Sequence, residues 1–198
     1  MDKATKETYQ ESAQALIQKY DTVGQDLIPY INIAFSYLKE DPAVLELGCA
    51  AGRDAQKIIS HTPNYLGIDA SEEFIKTARK RVPQGKFEVA DFESYSLPDN
   101  LDIIFAIASL LHSNKEEVKK MLEKIAKALV PGGLFFVTLK YDEYHEETVT
   151  DQFGTRKFYF YTPQLMRELA GNQFDLLYED DPVLNGQKWL VMILKKTA

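Results

Sequence analysis

Three carboxylic acids, Glu46, Asp69 and Asp91, stand at intervals along the first half of the chain, and a glycine turn, Gly48 to Gly52, follows the first of them. Carboxylates accept hydrogen bonds from hydroxyls or an exocyclic amine, and glycine lets a ligand approach the main chain where a side chain would block it. Asp69 falls about 20 residues after Gly48, the spacing at which an acid ending a second strand reaches a ribose placed over such a turn. The chemistry implied is nucleoside binding. A nicotinamide fingerprint asks for glycines at 48, 50 and 53, and the chain has Gly48, Ala50 and Arg53, which speaks against that cofactor.

These residues need strands to carry them and helices to space them. Val44, Leu45 and Leu47 form a short apolar run that suits a buried parallel strand ending at Gly48. Arg53-Asp54 opens a helix bearing Ile58 and Ile59. A second strand, Tyr65 to Asp69, is followed by a helix start at Ser71-Glu72-Glu73, and a third strand, Lys86 to Ala90, runs into Asp91-Phe92. Leu101 to Ala108 reads LDIIFAIA, as a central strand buried on both faces should. Ser113 with Glu116 reads as a capping box before a helix striped by Val118, Met121, Leu122, Ile125 and Leu129. Pro131-Gly132-Gly133 ends that helix before a strand from Leu134 to Leu139. Strands alternating with helices predict an α/β domain with a mostly parallel sheet, whose ligands gather at the carboxyl edge. Asp54 reads equally as a helix cap, and Asp91 as turn chemistry after a strand.

The flanking segments are less regular. Tyr9, Ala13, Leu16, Ile17 and Tyr20 recur at helical spacing, and Leu27 to Leu38 repeats the pattern before Asp41-Pro42. His112, just beyond the central strand, is either a proton-transfer group or a histidine bonded to the backbone near a helix cap. Residues 141–161 are rich in charge and aromatics and read as a specificity insertion or as a β-hairpin turning at Gly154. His145 and the acids beside it match no metal-ligand spacing, so no metal is expected. Thr162-Pro163 starts a helix that ends at Gly171-Asn172, and two strands, Phe174 to Tyr178 and Trp189 to Leu194, close the chain, with Trp189 read as core.

At 198 residues the chain suits one domain, 1–198, with a core that needs no disulfide, and Cys49 is the only cysteine. With 45% hydrophobic and 27% charged residues it is composed like a globular protein. No apolar run reaches the ~20 residues of a membrane span, so the expectation is a cytoplasmic protein without membrane contact. A net charge of −7 disfavours nucleic acid as a partner and leaves a small-molecule ligand, in a monomer or homodimer.

The order acid, glycine turn, acid, acid resembles the class I S-adenosylmethionine-dependent methyltransferases. Their first motif runs acid, any, Gly, any, Gly, any, Gly, matched by Glu46, Gly48 and Gly52 with Ala50 replacing the middle glycine. The resemblance implies a doubly wound, Rossmann-like sheet of seven strands, helices on both faces, and an antiparallel C-terminal strand. It implies S-adenosyl-L-methionine as cofactor, held by Glu46, Gly48, Cys49, Ala50, Gly52, Arg53, Asp69, Ala70, Asp91, Phe92 and Ile107. Asp91 would take the adenine amino group, and Arg53 would either take the cofactor's carboxylate or pair with Asp54 or Glu46 and prop up the turn. It further implies a helical lid over residues 1–40, an acceptor-side insertion over 141–161, and His112 and Tyr9 as catalytic candidates. The implied activity is methyl transfer to nitrogen, oxygen or sulfur of a small molecule. Alternatives are a tRNA or protein methyltransferase on the same fold, or a non-catalytic cofactor-binding subunit.

Overall fold

A computed structural model describes residues 1–22 and 27–197. Seven strands form the main sheet: β1 (Val44–Leu47), β2 (Tyr65–Asp69), β3 (Lys86–Val89), β4 (Leu101–Ile107), β5 (Leu129–Tyr141), β8 (Phe174–Asp180) and β10 (Gln187–Lys196). Their order is β3-β2-β1-β4-β5-β10-β8. The first five are parallel and β10 runs antiparallel between β5 and β8. The chain order reverses between β1 and β4, the switch point at which such sheets open a crevice at their carboxyl ends. A hairpin, β6 (Glu146–Asp151) and β7 (Gly154–Tyr161), and a short β9 (Val183–Leu184) complete ten strands among the described residues. The sheet has the Rossmann-like order and antiparallel C-terminal strand expected from the sequence.

Every residue of β1 and all but Asp102 of β4 are buried, because helices cover both faces. On one face Val44, Ile103, Phe105 and Phe136 pack with α3 (Ile28–Phe35), α4 (Arg53–Ile59) and α5 (Glu72–Arg81). On the other, Leu45, Leu47, Ile104 and Phe135 pack with α6 (Lys115–Ala128) and α7 (Pro163–Ala170). The N-terminal helical pattern resolves into two helices, α1 (Lys3–Glu11) and α2 (Ala13–Thr22). Leu16 and Ile17 of α2 pack with Ala51 and Phe74 beside the glycine turn.

Two boundaries differ from the sequence expectation. The capping box before α6 is Asn114 with Glu117, one residue later than Ser113 with Glu116. Both pairs have the required spacing, and the helix starts where the second one falls. The strand β5 begins at Leu129 and absorbs Pro131-Gly132-Gly133, since Leu129 already pairs with Leu101.

The hairpin decides the shape of the site. Along β5, β4 is the partner as far as Thr138; beyond it, Lys140 and Tyr141 pair instead with Phe160 and Tyr161 of β7. The hairpin therefore extends the sheet past the carboxyl edge. Helix α1 docks on it through hydroxyl groups: Thr8 donates to the Thr155 carbonyl at 2.8 Å, Ser12 to the Phe153 carbonyl at 2.5 Å, and Thr5 accepts from the Lys157 N–H at 2.9 Å.

The turn after β1 winds through left-handed conformations at Gly48 (φ 72°), Ala50 (φ 44°) and Gly52 (φ 76°). A Cβ at Gly48 would lie 2.6 Å from the Ser109 Cβ, and one at Gly52 would press on Ala78 of α5 at 3.2 Å. Only Ala50 bears a Cβ in this strained region, which costs about 1–2 kcal/mol before the greater unfolded-state freedom of glycine is counted. Ala50→Gly should therefore raise stability by about 0.5–1 kcal/mol, and Gly48→Ala should lower it by about 2 kcal/mol or more. Urea midpoints at unchanged slope measure both; equal midpoints would contradict the strain.

Candidate active site

A cavity of about 790 Å³ opens at the carboxyl ends of β1, β2 and β4, and Gly48, Cys49 and Ala50 form part of its wall. Asp69, at the tip of β2, lies beside them. Its Oδ2 accepts the Ala50 N–H at 3.0 Å and its Oδ1 accepts the Ser71 N–H at 2.8 Å. One carboxylate thus ties the glycine turn to the start of α5. Burial pushes its pKa up to about 6 against those two N–H bonds, which favour the charged form. Each oxygen keeps a second lone pair, and the side chain faces the cavity.

Asp91 and Phe92, beyond β3, also line the cavity, as do Ala70 and Ile107. Asp91 accepts from the Glu93 N–H at 3.0 Å and from Lys6 Nζ of α1 at 2.7 Å. Burial alone would raise its pKa, but the hydrogen bonds from Lys6 and Glu93 hold it below the usual carboxylate range. Arg53, on the cavity wall, bonds Asp54 through Nε and Nη2 at 3.1 and 2.9 Å.

Glu46 departs from the expected convergence of three acids. It is 1% exposed, accepts a hydrogen bond from the Tyr65 hydroxyl, and is absent from the cavity wall, as is Gly52. Burial, reinforced by Asp54, pushes its pKa up to about 8 despite the Tyr65 bond. Two acids, not three, face the cavity from the strand tips.

Tyr9 and Gln10 of α1 and Ile17 and Tyr20 of α2 cover the cavity, and His112 lies in its wall. The imidazole is 2% exposed, in a 3-10 turn at Leu110–His112. Its Nδ1 is 2.6 Å from the Lys157 carbonyl, which can only accept, so Nδ1 carries the proton. Its Nε2 then accepts from the Tyr9 hydroxyl at 2.8 Å, and Tyr9 stands 3.3 Å from the Tyr20 hydroxyl. The backbone partner is in the hairpin, 45 residues on, not in a local cap. Burial, partly opposed by the Lys157 bond, pulls the His112 pKa down to about 4, and burial raises that of Tyr9. Both groups are neutral near pH 7.

Several wall residues were not assigned a site role from sequence, Lys6, Phe74, Ser109 and Lys140, while Arg156 and Phe158 come from the segment 141–161 read as the acceptor side. Trp189, expected in the core, packs against it and lines the cavity as well. Only the charged and aromatic character of residues 141–161 hinted at this side. Among the described residues no group of three or more His, Cys, Asp or Glu side chains is placed to hold a metal ion, and no helix is long and apolar enough to cross a membrane.

A glycine turn at the switch point, with carboxylates at the next two strand tips, is the arrangement in which Rossmann-like sheets hold nucleosides. Residues 44–133, β1 into β5, match the family described as a methyltransferase domain. The trans-aconitate 2-methyltransferase of Sinorhizobium fredii is 35% identical over 96 residues, 48% of this chain and 37% of that protein. Its counterpart in Variovorax paradoxus is 30% identical over 105 residues, 52% and 40%. The chain thus spans about two-fifths of the length of these curated relatives. Among solved structures, the 1,6-didemethyltoxoflavin-N1-methyltransferase of Burkholderia thailandensis aligns with TM-score 0.75 at 18% identity over 98% of this chain and 87% of that one. The N-methyltransferase NodS of Bradyrhizobium japonicum aligns with TM-score 0.75 at 15% identity, over 96% and 99%. Both contain S-adenosylhomocysteine. At these identities the likeness establishes the fold.

Two measurements follow from the protonation states. Between Glu46's ordinary pKa of 4.5 and about 8, the folded protein binds more protons than the unfolded chain, so stability falls as pH rises through that window. Glu46→Gln, which cannot ionise, should gain on the wild type steadily from pH 5 to 8 in chemical denaturation; a constant difference would contradict a raised pKa. Nitrogen-15 shifts of His112 should report the Nδ1–H tautomer unchanged at pH 7 and down to about pH 5, and a midpoint near 6.5 would contradict its burial.

Proposed function

We propose that this protein transfers the sulfonium methyl group of S-adenosyl-L-methionine to a small-molecule acceptor. The observation that carries the reading is the cavity over the glycine turn, with Asp69 on its wall and bonded to that turn. The residues fit the cofactor: a carboxylate for the ribose hydroxyls at Asp69, a second for the adenine amino group at Asp91, and apolar surface from Ala70, Phe92 and Ile107 for a flat ring. Cys49 and Ala50 complete the floor, with Arg53 beside them. The methyltransferase family of residues 44–133 and the S-adenosylhomocysteine in the structural neighbours support the same choice.

The cofactor supplies an already activated methyl group, so the protein's part is alignment. Holding two reactants in line in a water-poor site can contribute ~7–11 kcal/mol to the barrier. Helices α1 and α2 exclude water from above through Tyr9, Ile17 and Tyr20. The hydroxyl bonds of α1 to the hairpin contribute about 1 kcal/mol each, which suits a cover that must open for exchange. In this reading residues 1–40 are the lid and 141–161 the acceptor side. Tyr9 and His112 touch the acceptor and orient it. His112, neutral and pulled down to about 4, is a weak base, so the pair positions a lone pair better than it creates one.

The small acceptor also agrees with the named reactions of the relatives, trans-aconitate for one group and nitrogen acceptors for the other. Transfer to RNA would need a phosphate-binding surface on a chain of net charge −7. We further propose a cytoplasmic protein acting alone or as a homodimer.

Calorimetry with S-adenosylhomocysteine tests the cofactor assignment. Asp69→Ala should weaken binding by about 1–3 kcal/mol while the protein stays folded; unchanged affinity would remove Asp69 from the ribose. Tyr9→Phe should lower kcat/KM about tenfold or more, because the His112 Nε2 loses its donor, with cofactor affinity unaltered. Failure of the wild type to bind would leave the interaction-subunit alternative.

A further inference from the structure

At the strand tips the cations on the cavity wall are matched by acids, Lys6 with Asp91 and Arg53 with Asp54, whereas the hairpin side carries Arg156 of β7 and Lys140 at the end of β5 with Asp151 at the end of β6. Arg156 lies near enough to Lys140 to act on its charge. We propose that the methyl acceptor bears a carboxylate, and that Arg156 and Lys140 hold it against the Tyr9–His112 end of the cavity. The inference rests on the methyltransferase reading for the word acceptor, not for the anion site itself.

Arg156 is 4% exposed, and a buried guanidinium needs partners for its five donors. One amino group bonds Asp151, while Nε has no partner among the described residues. Asp151 is itself on the cavity wall and also accepts the Phe153 N–H at 2.9 Å. The second cation is less well paired. Lys140 Nζ lies 4.1 Å from the Phe158 ring centre and 4.9 Å from that of Phe160, and no carboxylate is within 4 Å of it among the described residues. Burial lowers its pKa, Glu147 opposes this, and Arg156 and Lys19 push it further down. A half-buried ammonium beside another cation is stabilised by an anion brought to it.

Asp151 bonds Arg156 and also lies 3.9 Å from Lys19, so it offsets only part of the positive charge on this wall and leaves room for an anion. The surroundings, Phe158 and Trp189, suit the apolar remainder of an organic acid. A planar guanidinium also matches the two oxygens of a carboxylate. Such an acceptor enters ionised, and a carboxylate oxygen that takes the methyl group needs no base, in keeping with a neutral His112 bonded to Tyr9.

The test is ligand-observed NMR on the protein with and without saturating S-adenosylhomocysteine. The probes are glutarate, tricarballylate and phenylacetate, each against its primary amide, and phenyl phosphate. At least one carboxylate should bind, and its amide should bind about tenfold or more weakly. Lys140→Met and, if it folds, Arg156→Gln should each weaken that carboxylate about tenfold with S-adenosylhomocysteine affinity within about threefold. The proposal is overturned if no carboxylate binds, if amides bind equally, if phenyl phosphate binds more tightly than every carboxylate, or if Lys140→Met binds as the wild type does. Loss of S-adenosylhomocysteine binding in the wild type, with carboxylate binding intact, would sink the methyltransferase reading and leave the anion site standing.

Discussion

The Asp69 carboxylate is the fixed point of the site. By accepting one N–H from Ala50 and another from Ser71, it holds the glycine turn and the first residue before α5 in one frame. With the backbone bonds from Gly48 and Cys49 to Ile68 and from Gly52 to Cys49, that bridge opposes the strain of the left-handed backbone at Ala50. The acid therefore builds the turn as well as facing the cavity. Its burial makes it costly to ionise, and a ligand offering hydroxyl donors would compensate that cost.

Around this anchor, topology sorts charge. Parallel strands bring Asp69 and Asp91 to neighbouring tips, while β5 outruns β4 and recruits the hairpin, placing Lys140 and Arg156 opposite. Helix α1 bridges the two sides, with Lys6 on Asp91 and Tyr9 on His112. The result is a cleft between the strand tips and the hairpin, covered by α1, held to the hairpin through hydroxyl groups, and by α2, packed on Ala51 and Phe74.

The strand sequence and the cofactor edge were legible because they depend on local patterns: apolar runs, glycines that must take left-handed angles, and an acid about 20 residues after the turn. The orientation of Glu46 was not. In a strand buried on both faces, alternation does not distinguish the side that meets ligand from the side that meets Tyr65. The capping box slipped by one residue because Ser113 and Asn114 each have a glutamate three places on. Lys6, on a polar helix, reads like any solvated lysine. Lys140 and Arg156 meet only because β7 joins β5 beyond Thr138, a pairing no local spacing encodes. Trp189 looked like core because it sits in an apolar strand, and its cavity face comes from pairing with Lys140.

The central claim is that adenosine sits over the glycine turn between Asp69 and Asp91. A crystal structure of the protein with S-adenosylhomocysteine tests it most directly. The account requires ribose hydroxyls within hydrogen-bond distance of Asp69 and the adenine against Phe92 with its amino group at Asp91. Density for the nucleoside elsewhere, or a ribose turned away from Asp69, would contradict it.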